Sequence, residues 1–299
     1  MIKPEIIDLF RIPPGTKVKL KQHDTGWAQT DELKEAGKDE VRARAEAALA
    51  ESQQELTAAQ ELLYADNRYA ILVILQGLDA AGKDGTIKHV MSGLNPQGCE
   101  VYGFKQPSHV ELDHTFLWRY ARVLPERGRI GIFNRSYYED VLVVKVHPEI
   151  LAAQQWPRGA AGKKFWKHRY EDINSLERHL TRNGTVVLKF FLHMSKEEQK
   201  KRLLERLENP EKHWKFSLSD LAERKRWGEY IDAFEDCISA TSTEWAPWYV
   251  IPADKKWVAR ALVANILVSA IRGLDLSFPK VTAEQHAALA RAREQLSKE

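Results

Sequence analysis

The chain has 299 residues, enough for one large α/β domain, with 45 basic and 42 acidic side chains and a formal net charge of +3. That near balance argues against a simple basic nucleic-acid binder, although it leaves room for a local basic channel for a polyanion. No apolar run approaches the ~20 residues needed to span a bilayer. The N-terminus has no signal-peptide architecture, and Cys99 and Cys237 form no metal or redox pattern. A reducing, cytoplasmic location is expected, with no membrane and no nucleic acid as partner.

Residues 1–36 carry prolines at 4, 13 and 14 and read as an irregular N-terminal arm. From Lys38 to Ala65 the composition turns Ala-, Glu-, Arg- and Leu-rich, which favours helix. Leu49, Leu56 and Leu63 recur at spacing seven, which suits packing on the domain or an oligomer seam. Strands are predicted at about 70–76, 100–104, 129–134, 185–192 and 247–252, with helices at about 83–93, 109–122, 164–182 and 195–208 between them. This alternation predicts a five-stranded parallel sheet in a three-layer α/β/α domain. Thr185–Met194 is apolar at nearly every position, as expected of a central strand buried on both faces. Residues 208–240 become charged and aromatic and read as a helical lid inserted in one domain spanning 37–273. A sheet-packing helix is expected at 255–272, and Thr282 with Gln285 forms a capping box for a helix at 283–297 in a tail of 274–299.

Four segments can carry chemistry. The first is Gly77–Lys83, a G-x-x-x-x-G-K phosphate-loop pattern after an apolar strand and before a helix start. Backbone N–H groups of Gly77, Ala80, Ala81, Gly82 and the residues up to Gly85 can cradle phosphate oxygens, and Lys83 adds a point charge. The bland alternative is a glycine-rich turn with a solvated lysine. Asp84 stands where a metal-holding Ser or Thr usually follows the lysine, and Asp79 lies inside the loop. Two carboxylates in a phosphate cradle imply a divalent cation between them and the phosphate.

The second segment, Gly128–His147, has an apolar strand delivering Asn134 and Arg135, with Glu139 and Asp140 one turn later. In a parallel sheet such groups gather at the carboxyl edge, so this segment and Asp79 are expected side by side. Glu139 and Asp140 are equally compatible with dipole-favoured acids at a helix start. The third, Phe104–Gly128, offers Lys105 and Gln106 after a strand, then Arg119 and Arg122 on a helix, which suit an acceptor phosphate or an ordinary cationic surface. His109 and His114 resemble no metal site. In the fourth, Asn209–Trp257, the cations Lys212, Lys215, Arg224, Lys225 and Arg226 interleave with Trp214, Phe216 and Trp227. A solvated helical face is the usual explanation. Beside a phosphate loop, it reads as a lid that clamps phosphates and excludes water.

Taken together, GLDAAGKDGTIK (77–88), FKQPS (104–108), FLWRY (116–120), FNRSYYEDVLV (133–143), HWKFSLSDL (213–221) and STEWAPWYVIPADKKW (242–257) resemble the polyphosphate kinase 2 family. The blocks span most of residues 10–272 in the right order. The pairing of Asn134 with Glu139 is similar to the branch often called class III, which phosphorylates both nucleoside mono- and diphosphates; other branches carry Asp and then Asn at these positions. The resemblance implies a phosphate-loop kinase fold and reversible phosphoryl transfer between inorganic polyphosphate and AMP or ADP; no base-reading motif separates adenine from guanine nucleotides as acceptors. It implies magnesium, replaceable by manganese, held by Asp79 and Glu139. Lys83, Arg119 and Arg135 would contact transferring or neighbouring phosphates, and Lys212, Lys215 and Arg226 the polyphosphate channel. Asn134 lacks the charge of a direct metal ligand, and Asp84 would support the site. A homo-oligomer, dimer or tetramer, is expected. The competing readings are an ATP-dependent nucleoside monophosphate kinase and a non-catalytic polyanion-binding regulator; the second has little use for two metal carboxylates.

Overall fold

The computed structural model describes residues 2–154, 156–157 and 161–299. Six strands form one sheet: β1 (Arg11–Ile12), β2 (Ala70–Gln76), β3 (Cys99–Gly103), β4 (Ile130–Asn134), β5 (Thr185–His193) and β6 (Trp248–Pro252). Their order is β1-β6-β5-β2-β4-β3. The five predicted strands all pair in parallel, and β1 adds an antiparallel edge on β6. Helices of eight residues or more are α1 (Lys38–Asp66), α2 (Lys83–Val90), α3 (Phe165–Arg182), α4 (Lys196–Glu208), α5 (Leu218–Lys225), α6 (Trp227–Thr241), α7 (Lys256–Arg272) and α8 (Ala283–Leu296).

Side chains of a strand alternate between faces, and the central strand shows the consequence. Ile71, Val73 and Leu75 of β2 pack into one core with Leu56, Leu63, Val263 and Leu267 of α1 and α7. Leu72 and Ile74 pack into the other core with Ile173, Phe234 and Ile238 of α3 and α6. Every residue of β2 is therefore buried, and its sequence shows no alternation. The spacing of seven in α1 resolves onto the domain: Leu56 and Leu63 are fully buried, and Leu49 packs at the margin of the same core.

Three elements differ in detail from the expectation. The N-terminal arm is ordered: Val18 and Leu20 are buried, the Val18 amide donates to Ser239, and the Leu20 amide donates to Glu235 Oε1 at 2.8 Å. The helix expected at 109–122 breaks into His109–Leu112 and Trp118–Ala121. A capping box between Ser108 and Glu111 starts the first piece, and poor helix formers at 113–115 stop it. The excursion at 208–240 divides in two. Pro210–Lys215 and α5 bury no residue, whereas α6 buries Tyr230, Ala233, Phe234, Cys237 and Ile238 in the body. Thr282 and Gln285 form their capping box at the start of α8, which buries no residue. Among the described residues no helix is long and apolar enough to cross a membrane.

Candidate active site

The carboxyl ends of β2, β4 and β3 are in register, with Leu75 opposite Asn134 and Asn134 opposite Gly103. That alignment brings the phosphate loop, the Asn134–Glu139 turn and the Phe104–Gln106 segment to one edge of the sheet.

The loop is tightly built. A Cβ on Gly77 would lie 3.1 Å from the Leu192 carbonyl oxygen and 3.1 Å from the Ala81 Cβ, so the backbone passes where no side chain fits. Gly82 has φ 102°, a left-handed conformation natural to glycine, while Ala80 (φ 64°) and Arg135 (φ 65°) occupy the left-handed region at a cost. Arg202 of α4 holds the loop from outside, donating to the carbonyls of Ala80 at 3.0 Å and Ala81 at 3.1 Å with Nη1, and to Ala253 at 2.6 Å with Nη2. Gln199 donates to the Asp79 carbonyl at 2.9 Å. These bonds fix the carbonyls of Asp79, Ala80 and Ala81 on the outer side of the loop, while the Ala81 N–H closes the turn on the Leu78 carbonyl at 3.1 Å.

Lys83 curls back over the loop, its Nζ donating to the Gly77 carbonyl at 2.6 Å. Burial, and then the nearby charge of Arg135, push its pKa down to about 8, against the opposing pull of Asp79, Glu139 and Asp84. Arg135 stands between two acids, with Nη2 2.9 Å from Asp79 Oδ1 and Nη1 3.1 Å from Glu139 Oε2. In the amide orientation that satisfies both neighbours, Gln76 donates to Glu139 Oε1 at 2.9 Å. Asn134 Nδ2 donates to Asp84 Oδ1 at 2.7 Å, and Lys215 Nζ is 4.0 Å from Asp84 Oδ2. Asp140, beside Glu139, is buried under Tyr120 and Arg169, and burial raises its pKa to about 7.

Two cavities meet at this point. The first, about 650 Å³, runs along the loop from Asp79 to Thr86 and is closed by Asn134, Arg135, Lys212 and Lys215. Its lining has nine cations (Lys83, Lys105, Arg135, Arg202, Arg206, Lys212, Lys215, Lys256, Arg260) against three acids (Asp79, Asp84, Glu205). The second, about 620 Å³, lies beyond Lys105, Gln106 and Arg135 and is lined by Phe104, Arg119, Tyr120, Glu139 and Asp140. Arg119 donates from Nη2 to the Lys105 carbonyl at 3.0 Å and lies against the packed pair Phe104 and Tyr120, 5.3 Å from each ring centroid. Arg226 lines neither cavity; it pairs with Glu229 at 3.0 Å and meets His147 Nδ1 at 2.9 Å.

The residues of the two i,i+4 pairs Arg202/Arg206 and Lys256/Arg260 were not singled out from sequence. Their signal was a cationic stripe on helices that start at the carboxyl edge of the sheet. Among the described residues no three His, Cys, Asp or Glu side chains cluster as a metal cage. The donor set that is present, two partly exposed carboxylates converging on one guanidinium, fits magnesium. That ion takes one or two carboxylates and fills its remaining positions with substrate phosphates and water.

The model of the polyphosphate kinase 2 family matches residues 39–279. An ADP-polyphosphate phosphotransferase of Rhodopseudomonas palustris is 50% identical, with 97% of this chain and 98% of that one aligned. An AMP/ADP-polyphosphate phosphotransferase of Meiothermus ruber is 45% identical, over 91% and 95% respectively. A crystal structure of polyphosphate kinase 2 from Arthrobacter aurescens superimposes with a TM-score of 0.82 at 39% identity, covering 95% of this chain and 96% of that one. The family model spans most of the chain, the relatives are near-full-length and the superposition is close: the chain belongs to the polyphosphate kinase 2 family.

Proposed function

We propose that this enzyme transfers the terminal phosphoryl group of inorganic polyphosphate to the terminal phosphate of AMP or ADP, giving ADP or ATP, and that it runs in both directions. The observation that carries this reading is the meeting of two cavities at Arg135. The strongly cationic one, along the phosphate loop, suits a chain of phosphates. The mixed one, with Phe104, Tyr120, Lys105 and Arg119, suits a nucleotide.

In the transfer, an oxygen of the nucleotide phosphate forms a bond to the terminal phosphorus as the bridging P–O bond of the chain breaks. The chain leaves one phosphate shorter. The attacking oxygen is already largely ionised near neutral pH, because the second pKa of a phosphate is about 6, so no strong base is needed. The work is positioning and charge neutralisation. Loop N–H groups and Lys83 hold the donor end, Lys105 and Arg119 the acceptor, and Arg135 the junction. Asp79 and Glu139 would hold the divalent cation, which supplies charge neutralisation on the phosphates. Lys212 and Lys215 would close over the chain and exclude water.

A donor–acceptor matrix tests the reading: polyphosphate or ATP, each against AMP, ADP, GMP and GDP, with Mg²⁺. Polyphosphate with AMP or ADP should yield ADP and ATP. Phosphorylation of AMP by ATP with indifference to polyphosphate would identify an ATP-dependent monophosphate kinase instead.

A further inference from the structure

The turn that carries Glu139 is anchored from below by a wholly buried polar network. Tyr137 and Tyr138, which precede Glu139, donate their hydroxyls to the same oxygen, Glu177 Oε1, at 2.9 and 2.7 Å. The other oxygen, Glu177 Oε2, accepts from Lys189 Nζ at 2.6 Å. Lys189 also donates to Tyr138 Oη at 3.0 Å and to the Thr241 carbonyl at 2.6 Å. Tyr137, Tyr138, Glu177 and Lys189 are all 0% exposed. Four segments meet here: the turn after β4, helix α3, strand β5 and the end of α6.

A buried ion pair is a poor device for stability alone, because desolvation offsets most of its attraction and apolar residues of like volume often serve as well. What this pair does geometrically is specific. It presents one fixed carboxylate oxygen to two consecutive tyrosines. Two hydroxyls converging on one acceptor fix the rotation and height of the turn between them and Glu139. Its other end is held by the Arg135 amide, which donates to the Leu75 carbonyl at 3.0 Å. Arg135 sits there at φ 65°, a conformation that persists only where surrounding structure enforces it.

We infer that Tyr137 and Tyr138, held by Glu177 and Lys189, are positioning residues that set the Glu139 carboxylate against Asp79 for metal binding. The inference rests on the reading of Glu139 as a metal-holding residue. Outer partners of metal ligands typically contribute about 10- to 100-fold in affinity or activity.

The test uses the full chain and Mn²⁺ as probe, with free Mn²⁺ measured by electron paramagnetic resonance in the absence of nucleotide. Tyr137→Phe/Tyr138→Phe removes both hydroxyls without opening a cavity, and Tyr138→Phe alone is the milder form should the pair fail to fold. Either variant should bind Mn²⁺ about tenfold more weakly or worse, with kcat reduced in step and KM for polyphosphate unchanged. A variant that melts earlier but keeps wild-type Mn²⁺ affinity and kcat would overturn the inference and leave a purely structural network. Glu139→Ala separates the two layers of the argument. It should weaken Mn²⁺ binding more than the Phe variants do, and wild-type affinity in Glu139→Ala would overturn the metal assignment itself.

Discussion

The Arg135 guanidinium donates to the Asp79 carboxylate at 2.9 Å, across 56 residues of sequence. Its other nitrogen meets Glu139 at 3.1 Å, so one cation bridges both proposed metal-holding acids. Without a phosphate substrate, Arg135 is the counter-ion that lets these two carboxylates face each other.

Arg135→Ala should therefore act in opposite directions on two observables. The cleft loses a cation at the point of transfer, and kcat should fall about a hundredfold or more, in line with the loss of a charge-stabilising donor elsewhere. The two acids lose their internal partner, and Mn²⁺ affinity without nucleotide should rise. Calorimetric titration with Mn²⁺ and steady-state kinetics on the same preparation check both.

Asp79→Ala and Glu139→Ala should each reduce turnover by orders of magnitude while leaving the melting temperature near wild type, since both side chains are partly exposed. Near-full activity with Mg²⁺ in either variant would remove that residue from the metal site.

Lys83 sets a pH dependence. Its pKa in the free enzyme is lowered to about 8 by burial and by Arg135. Only the ammonium form attracts phosphate. The alkaline limb of kcat/KM, which reports ionisations of the free enzyme, should therefore decline as pH rises through that value. Lys83→Arg, which stays charged, should remove that alkaline limb even if its activity is low. The pH profile of kcat/KM for polyphosphate measures it.

The lid cations separate by location. Lys215 lines the loop cavity and lies near Asp84, so Lys215→Ala should raise KM for polyphosphate several-fold and reduce its salt sensitivity, leaving KM for ADP unchanged. Arg226 faces His147 and Glu229, so Arg226→Ala should leave KM for polyphosphate within a factor of about two, as expected of an exposed ion pair outside the cavity. An equal rise in both variants would return Arg226 to the channel.

Much of this architecture was legible because the sheet is buried on both faces. Ala70–Gln76 and Thr185–His193 are almost uninterrupted apolar runs, and such runs have few alternatives to a central parallel strand. The phosphate loop and the Asn134–Glu139 turn were legible because each directly follows such a strand. The place of Arg226 was not legible because Arg224, Lys225 and Arg226 are consecutive and sequence cannot tell which of them faces the cleft; none lines the cationic cavity. Arg202, Lys256 and Arg260 were hidden for another reason. They reach the cleft only through the order of the sheet, which places β5 beside β2 and β6 beside β5, with the helices that follow them starting at the same edge. Glu177 and Lys189 were hidden because charges inside an apolar strand and a helix declare no partner until the tertiary structure joins them.

The most direct test follows radiolabelled phosphate from polyphosphate to ADP in single turnover, with wild type, Asp79→Ala and Glu139→Ala side by side. The account predicts labelled ATP from the wild type and a loss of orders of magnitude in both variants. Transfer undiminished in both, or no labelled ATP from the wild type, would contradict it.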